Sequence, residues 1–340
     1  MREWEGQGEG GAPSWAVALG AMPRAGNLAI IAAVDGHLQN RTEEGGIHAL
    51  GQFMSTTPEA IVNSLDRQAE RLETPCGEGS MVWRRWGTGA RRVVLLHGGH
   101  GAWSHWIRNI PVLAQRYTVL AADAPGCGES ASPPMPFDGD SLADIVVAGL
   151  NEIIPADALP YHLVGFSFGG VLSGPVAYRL GQRLASQTLV GAGGLGLVPR
   201  IPRENFKSWR KLTDPAEIMA AHRFNLGVLM ISDPTRIDDL AAYIQNRNTR
   251  NSRLDSPSVG RTGILRRVLP QTKVPLNGIW GEFDVVVKGQ MEACREILLD
   301  GHPELDFRYI PDAGHWVMYE QPVAYNAAII DILQLGREAP

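Results

Sequence analysis

From about residue 69 the chain alternates short apolar runs with longer stretches whose apolar residues recur every three or four positions. That alternation predicts an α/β fold, a mainly parallel doubly wound sheet covered by helices. Strands are expected at 69–75, 80–86, 92–96, 117–122, 162–165, 187–191, 275–280 and 306–310, and helices at 141–153, 168–184, 288–299 and 322–335. Just before them, Met54-Ser-Thr-Thr-Pro-Glu offers Thr56 or Thr57 as an N-cap, with Pro58 and Glu59 in the first turn. Ile61, Val62, Leu65, Ala69 and Leu72 then fall on one helical face.

Two intervals break the pattern. Residues 192–272 read as helices, such as 215–229 and 236–248, with turns rich in Pro, Gly and Asn-Arg between them and no strand. An all-helical insertion between two strands of a parallel sheet predicts a lid, with 54–191 and 273–340 forming the core around it. Residues 1–53 hold ten of the 39 glycines and show neither helical nor strand periodicity. They are either a tail without fixed structure or sequence upstream of a true start at Met54, the second reading being the one favoured.

Length alone, 340 residues, suggests two domains at about 150 residues each. Setting aside the first 53 leaves 287, which suits one sheet with an insertion. A formal charge of -5 argues against a phosphate-gripping surface, so nucleic acid is not an expected partner. The cysteines, Cys76, Cys127 and Cys294, are distant from one another and odd in number, which fits a reducing compartment and neither a disulfide framework nor a zinc site. Leu28–Val34 is too short an apolar run to span a bilayer, and Met1–Glu5 lacks a basic leader; a cytoplasmic protein without a membrane partner is expected. Charge is uneven, however. Residues 200–270 carry 13 Lys and Arg against 7 Asp and Glu, leaving the remainder strongly acidic.

Candidate chemistry begins at Leu163-Val164-Gly165-Phe166-Ser167-Phe168-Gly169-Gly170, an apolar strand running through G-x-S-x-G into a helix. Glycines two residues either side of a serine permit a tight strand-to-helix turn that lifts the hydroxyl off the sheet. Serine needs a base, and the base an orienting carboxylate. His315, in Pro311-Asp312-Ala313-Gly314-His315-Trp316, follows the last expected strand, and Asp284, in Trp280-Gly281-Glu282-Phe283-Asp284, follows the one before. Both lie where strands end, the edge at which open α/β sheets bind ligands. Glu282 and Asp312 are the rival acids.

A third element, Val93-Val94-Leu95-Leu96-His97-Gly98-Gly99-His100-Gly101, is a strand ending in a glycine-rich turn. Acyl transfer creates an oxyanion that two backbone amides must face; Phe168 and Gly99 are the candidates. A glycine-rich turn also suits phosphate, but no G-x-x-x-x-G-K-[ST] or G-x-G-x-x-G follows. His97 and His100 lack companions at ligand spacing, so no metal is expected.

Together, His97-Gly98-Gly99, Asp123-Ala-Pro-Gly126-Cys-Gly128-Glu-Ser130, Gly165-x-Ser167-x-Gly169, Gly281-x-x-Asp284 and Gly314-His315 resemble the α/β-hydrolase superfamily over roughly 70–195 and 272–338, with the insertion where that family carries its cap. The resemblance implies a Ser-His-Asp hydrolase without cofactor that acts on a small molecule. His315-Trp316 followed by Tyr319-Glu320-Gln321-Pro322 is similar to the carbon-carbon bond hydrolases of ring-cleavage dienoates, although Phe166 stands where those usually carry Asn. The arginine-rich insertion suggests an anionic substrate, with Arg223, Arg247 and Arg250 as candidates and Arg223 the first to test; the plainer account is a solvated helical face. Phe166, Phe168, Trp316 and His100 are expected near the substrate. The expected activity is hydrolysis of a carboxylic ester or related acyl compound. The alternatives are carbon-carbon bond hydrolysis in a dienoate and a non-catalytic ligand-binding protein on the same fold.

Overall fold

In the computed structural model residues 57–197, 203–260 and 262–335 are described; the expectation for residues 1–53 lies outside them. Strand residues divide by alternation. In β3, Val93 and Leu95 join one apolar cluster and Val94 and Leu96 another, because successive side chains leave opposite faces of a strand. Both clusters are buried, so the sheet carries helices on both faces.

The strands are β1 (Glu70–Cys76), β2 (Gly79–Trp86), β3 (Arg92–Leu96), β4 (Thr118–Ala122), β5 (Tyr161–Phe166), β6 (Leu184–Val190), β7 (Leu276–Gly281) and β8 (Asp306–Ile310). They lie in the order β1-β2-β4-β3-β5-β6-β7-β8. β2 runs antiparallel to both β1 and β4, and all other pairs are parallel. The helices are α1 (Pro58–Arg67), α2 (Ile110–Leu113), α3 (Gly139–Ile153), α4 (Phe168–Leu180), α5 (Pro215–Leu229), α6 (Asp239–Arg250), α7 (Ser256–Gly260), α8 (Ile264–Val268), α9 (Met291–Leu299), α10 (Val317–Glu320) and α11 (Pro322–Leu335). None of the described helices is long and apolar enough to cross a membrane.

This strand order positions the candidate chemistry. From β3 the chain moves first to β4 on one side and then back to β5 on the other, so the loops leaving β3 and β5 diverge at the point where connections change direction. Leu96, at the end of β3, is paired with Gly165. The glycine-rich turn and the serine turn therefore emerge side by side, and β7 and β8 deliver Asp284 and His315 to the same edge.

Each expected strand is present, with shifted ends. Thr57 Oγ1 accepts from Ala60 N and caps α1, which stops at Arg67. Ala69 and Leu72 therefore leave the helical face assigned to them, and Leu72 instead pairs with Trp83 across β1 and β2. The helix expected to 184 ends at Leu180, where Gly181 takes φ +49°, and β6 starts at Leu184 rather than 187. α9 starts at Met291 rather than 288. Between β6 and β7 the described residues contain helices and turns but no strand, as expected for the insertion. α5 has the expected bounds. α6 begins later than expected because Asp233 caps a short turn at Pro234–Arg236 and Asp238 caps the helix itself.

Candidate active site

Ser167 occupies a backbone position that side chains rarely adopt, φ 51° and ψ -113°. The flanking glycines explain how the chain reaches it. A methyl group on Gly165 would lie 2.4 Å from Gly169 O, and one on Gly169 would lie 2.3 Å from Leu96 O. Neither position has room for a side chain, and the turn closes only because both lack one. Ser167 remains partly accessible while its neighbours Phe166 and Phe168 are buried.

His315 reaches Ser167 from the loop after β8. Its Nε2 lies 2.9 Å from Ser167 Oγ, and its Nδ1 lies 2.9 and 3.0 Å from the two carboxylate oxygens of Asp284. With Nδ1–H donated to Asp284, Nε2 carries the lone pair that accepts the serine proton. Asp284 is 2% exposed, and its Oδ1 also accepts from Val286 N at 2.8 Å. The loops after β7 and β8 are pressed together: Phe283 N donates to Ala313 O, and a methyl group on Gly281 would lie 2.2 Å from Gly314 O. The rival acids are elsewhere. Glu282 accepts from Asp312 N, and Asp312 O accepts from Gln321 Nε2, with neither carboxylate on His315.

Gly99 and Phe168 face each other across this turn. A methyl group on Gly99 would lie 3.7 Å from Phe168 Cβ. Neither amide has a hydrogen-bond acceptor among the described residues. The loop carrying Gly99 is held by histidines. Ala124 N donates to His97 Nε2 at 2.9 Å, which leaves the Nδ1 proton to be donated to Gly98 O at 2.7 Å. Gly98 N donates to His105 Nδ1 at 3.3 Å. Burial pushes the pKa of His97 down and that of His105 well down, the latter also opposed by His97, His315 and His100 nearby. Both are thereby kept neutral, as their acceptor roles require.

Of the residues expected near substrate, His100 and Phe168 lie beside Gly99, and His100 Nδ1 is 2.9 Å from Ser252 Oγ of the insertion. Phe166 and Trp316 are fully buried. Phe166 packs its ring 5.1 Å from that of His315, and Trp316 Nε1 donates to His105 O. Both rings thus lie against histidines of the site. The Arg223 guanidinium is engaged by Ile237 O and Asp239. Arg247 approaches Glu129, and Arg250 stacks on Trp209. A cavity of about 560 Å³ beside Asp284 is lined by Ser232, Arg236, Glu282 and Phe283 but not by Ser167 or Gly99.

Three contributors were missed in the sequence. Asp123 accepts from Trp103 N, Glu129 N and Arg84, fixing the loops after β3 and β4; its motif was visible, but not this function. Glu320 binds the His315 loop to the insertion. Ser256, on α7, lies over Gly99, and no local pattern marks it.

A family model described as "Alpha/beta hydrolase family" matches residues 93–328. The chain is 41% identical over 261 residues to the "Dihydrolipoyllysine-residue acetyltransferase component of acetoin cleaving system" of Pseudomonas putida, a match covering 73% of this chain and 65% of that protein, just under two thirds of its length. It is 29% identical to the "2-hydroxy-6-oxo-6-phenylhexa-2,4-dienoate hydrolase" of Burkholderia cepacia, over 72% of this chain and 88% of that one. Among solved structures, an esterase from Thermogutta terrifontis superposes with a TM-score of 0.59 at 22% identity, over 79% of this chain and 99% of that one, a likeness of fold alone. The matched span begins at β3 and runs through every strand that delivers a candidate site residue, and on that match the chain belongs to the alpha/beta hydrolase family.

Proposed function

We propose that this chain is a serine hydrolase acting on a carboxylic ester or related acyl compound through an acyl-enzyme. The single observation that carries the reading is the hydrogen-bonded sequence Ser167 Oγ, His315 Nε2, His315 Nδ1 and Asp284. Ser167 Oγ attacks the acyl carbon as His315 takes its proton, and Asp284 stabilises the imidazolium that results. The oxyanion faces Gly99 N and Phe168 N, donors that have no other acceptor to give up. His315 then returns the proton to the leaving alcohol. In the second half a water is deprotonated by the same histidine, attacks the acyl carbon and releases the acid. The insertion acts as a cap over this edge, and 54–191 with 273–340 as the core beneath it. The substrate is a small molecule; an anionic one gains no support from Arg223.

A second reading uses the same groups on a carbon-carbon bond of a dienoate, and the Burkholderia cepacia relative supports it. The Pseudomonas putida relative supports including a thiol as an alternative acyl acceptor to water.

Labelling with a fluorophosphonate tests the core of the proposal. The expected adduct maps to Ser167 and is absent from Ser167→Ala, whose turnover falls by at least about 10³-fold. Folded protein with no adduct on Ser167 overturns the reading. An ester chain-length series assayed beside a dienoate, with and without an added thiol, then separates the three reactions.

A further inference from the structure

Ser256 opens α7 and is 4% exposed, yet its hydroxyl makes no hydrogen bond within the described residues. A hydroxyl with no partner inside the described fold can donate to a bound acceptor. Its position says which. A methyl group built on Gly99 would lie 2.7 Å from Ser256 Oγ and 3.7 Å from Phe168 Cβ, so the hydroxyl stands at the gap between the two residues whose amides await the oxyanion. α7 is held there by packing, since Val259 joins Phe168 and Leu172 in one buried cluster.

We propose that the Ser256 hydroxyl is a third donor to the oxyanion, supplied by the insertion and not by the core. The inference rests on the acyl-transfer reading above. A hydroxyl rotates freely to aim its proton, so it can follow the carbonyl oxygen as it moves from the planar substrate to the tetrahedral intermediate. Gly99 is required on this account for two reasons: its amide must approach the oxygen, and any side chain on it would occupy the place of Ser256 Oγ. The oxyanion site is then complete only with the insertion seated. Closure over the substrate supplies a catalytic hydrogen bond as well as excluding water.

The test is Ser256→Ala in the full chain, compared with Ser258→Ala, whose hydroxyl bonds only to Asp255 O, three residues earlier and just before the helix. Loss of one such donor costs about 10²-fold in kcat, and that is the expected effect, with KM little changed. Affinity for a trifluoromethyl ketone, which places an alkoxide in the oxyanion site when Ser167 adds to it, falls by a similar factor. Thermal midpoint and fluorophosphonate labelling of Ser167 at completion stay as in the parent. If Ser256→Ala matches Ser258→Ala and the parent within twofold in kcat and in ketone affinity, the inference is overturned and the acyl-transfer reading stands. A parent that forms no adduct at Ser167 overturns both.

Discussion

Where the insertion meets the His315 loop it is held by a closed polar network around one carboxylate; where it meets the serine side it is held by apolar packing with scattered polar bonds, such as Arg253 N to Gly126 O, between them. On the first side, Glu320 is 3% exposed and all its carboxylate positions are used: Oε1 accepts from Ser232 Oγ and Asp233 N, and Oε2 from Ser232 N and Gly314 N. Trp316 N donates to Met230 O, and Tyr319 Oη donates to Asp238, which also holds Arg108. On the second side, Leu254 and Val259 pack beside Phe168, while Ile264 and Val268 pack on Val171. There Asn248 Nδ2 is buried without a partner, and Ser256 Oγ lies against Gly99. A satisfied network fixes a geometry and has nothing left to offer a ligand; an unsatisfied group next to a reacting atom is available to one. The contrast supports anchoring by the His315 side and, on the function proposed above, substrate contact on the serine side.

The largest effect is expected from breaking the anchor. Glu320→Ala leaves three backbone amides and a hydroxyl without their acceptor. At roughly 1–3 kcal/mol for each buried group left unpaired, stability should fall by about 3 kcal/mol or more. Glu320→Gln should recover little, because its NH₂ group would face amides that can only donate. Urea denaturation measures the loss, and turnover should fall with it because Gly314 adjoins His315. A Glu320→Ala variant within 1 kcal/mol of the parent would dissolve the distinction between the two sides.

The sequence made one side of this contrast far more legible than the other. Ser167, Asp284 and His315 were readable because each sits at a strand's carboxyl end, where alternation fixes the strand and glycine fixes the turn. The eight strands were readable for the same reason, while helix ends were missed by a few residues where Gly181 or a capping aspartate decides them. Ser256 and Glu320 were not, because their meaning depends on residues some 150 and 90 positions away that only the folded chain brings to them.

Acid should act on the serine side. His97, His100 and His105 all support the Gly99 loop, and burial lowers the pKa of each. Between the ordinary histidine value near 6.5 and the lower folded value, the unfolded chain takes up a proton that the folded chain refuses. Stability therefore falls as pH drops through that window and is fully restored above about 6.5, by about 1.4 kcal/mol for each unit of depression. His162, in β5 and pushed down to about 4 by burial, adds the same dependence within the sheet. Urea midpoints at pH 7.5 and 5 should show a smaller drop in His105→Gln than in the parent, since His162 is common to both. Equal drops would remove the histidines from the account.

The smallest effect is expected at Arg223, and it bears on the substrate. The basic character of the insertion suggests an anionic ligand, but several of its arginines face carboxylates already present: Arg267 pairs with Asp140 and Arg247 approaches Glu129, both on the acidic core, while Arg236 pairs with Asp233. The charge asymmetry thus docks the insertion on the body. Arg223 pairs with Asp239, itself 80% exposed, and exposed pairs contribute about 0.2–1 kcal/mol. Arg223→Ala should shift the urea midpoint by no more than that and leave unchanged the ratio of activities on anionic and neutral esters of equal chain length. A ratio that falls tenfold against anionic esters would bring Arg223 back to the substrate, and would mean that the serine side recognises charge through a residue this arrangement assigns to the insertion's own packing.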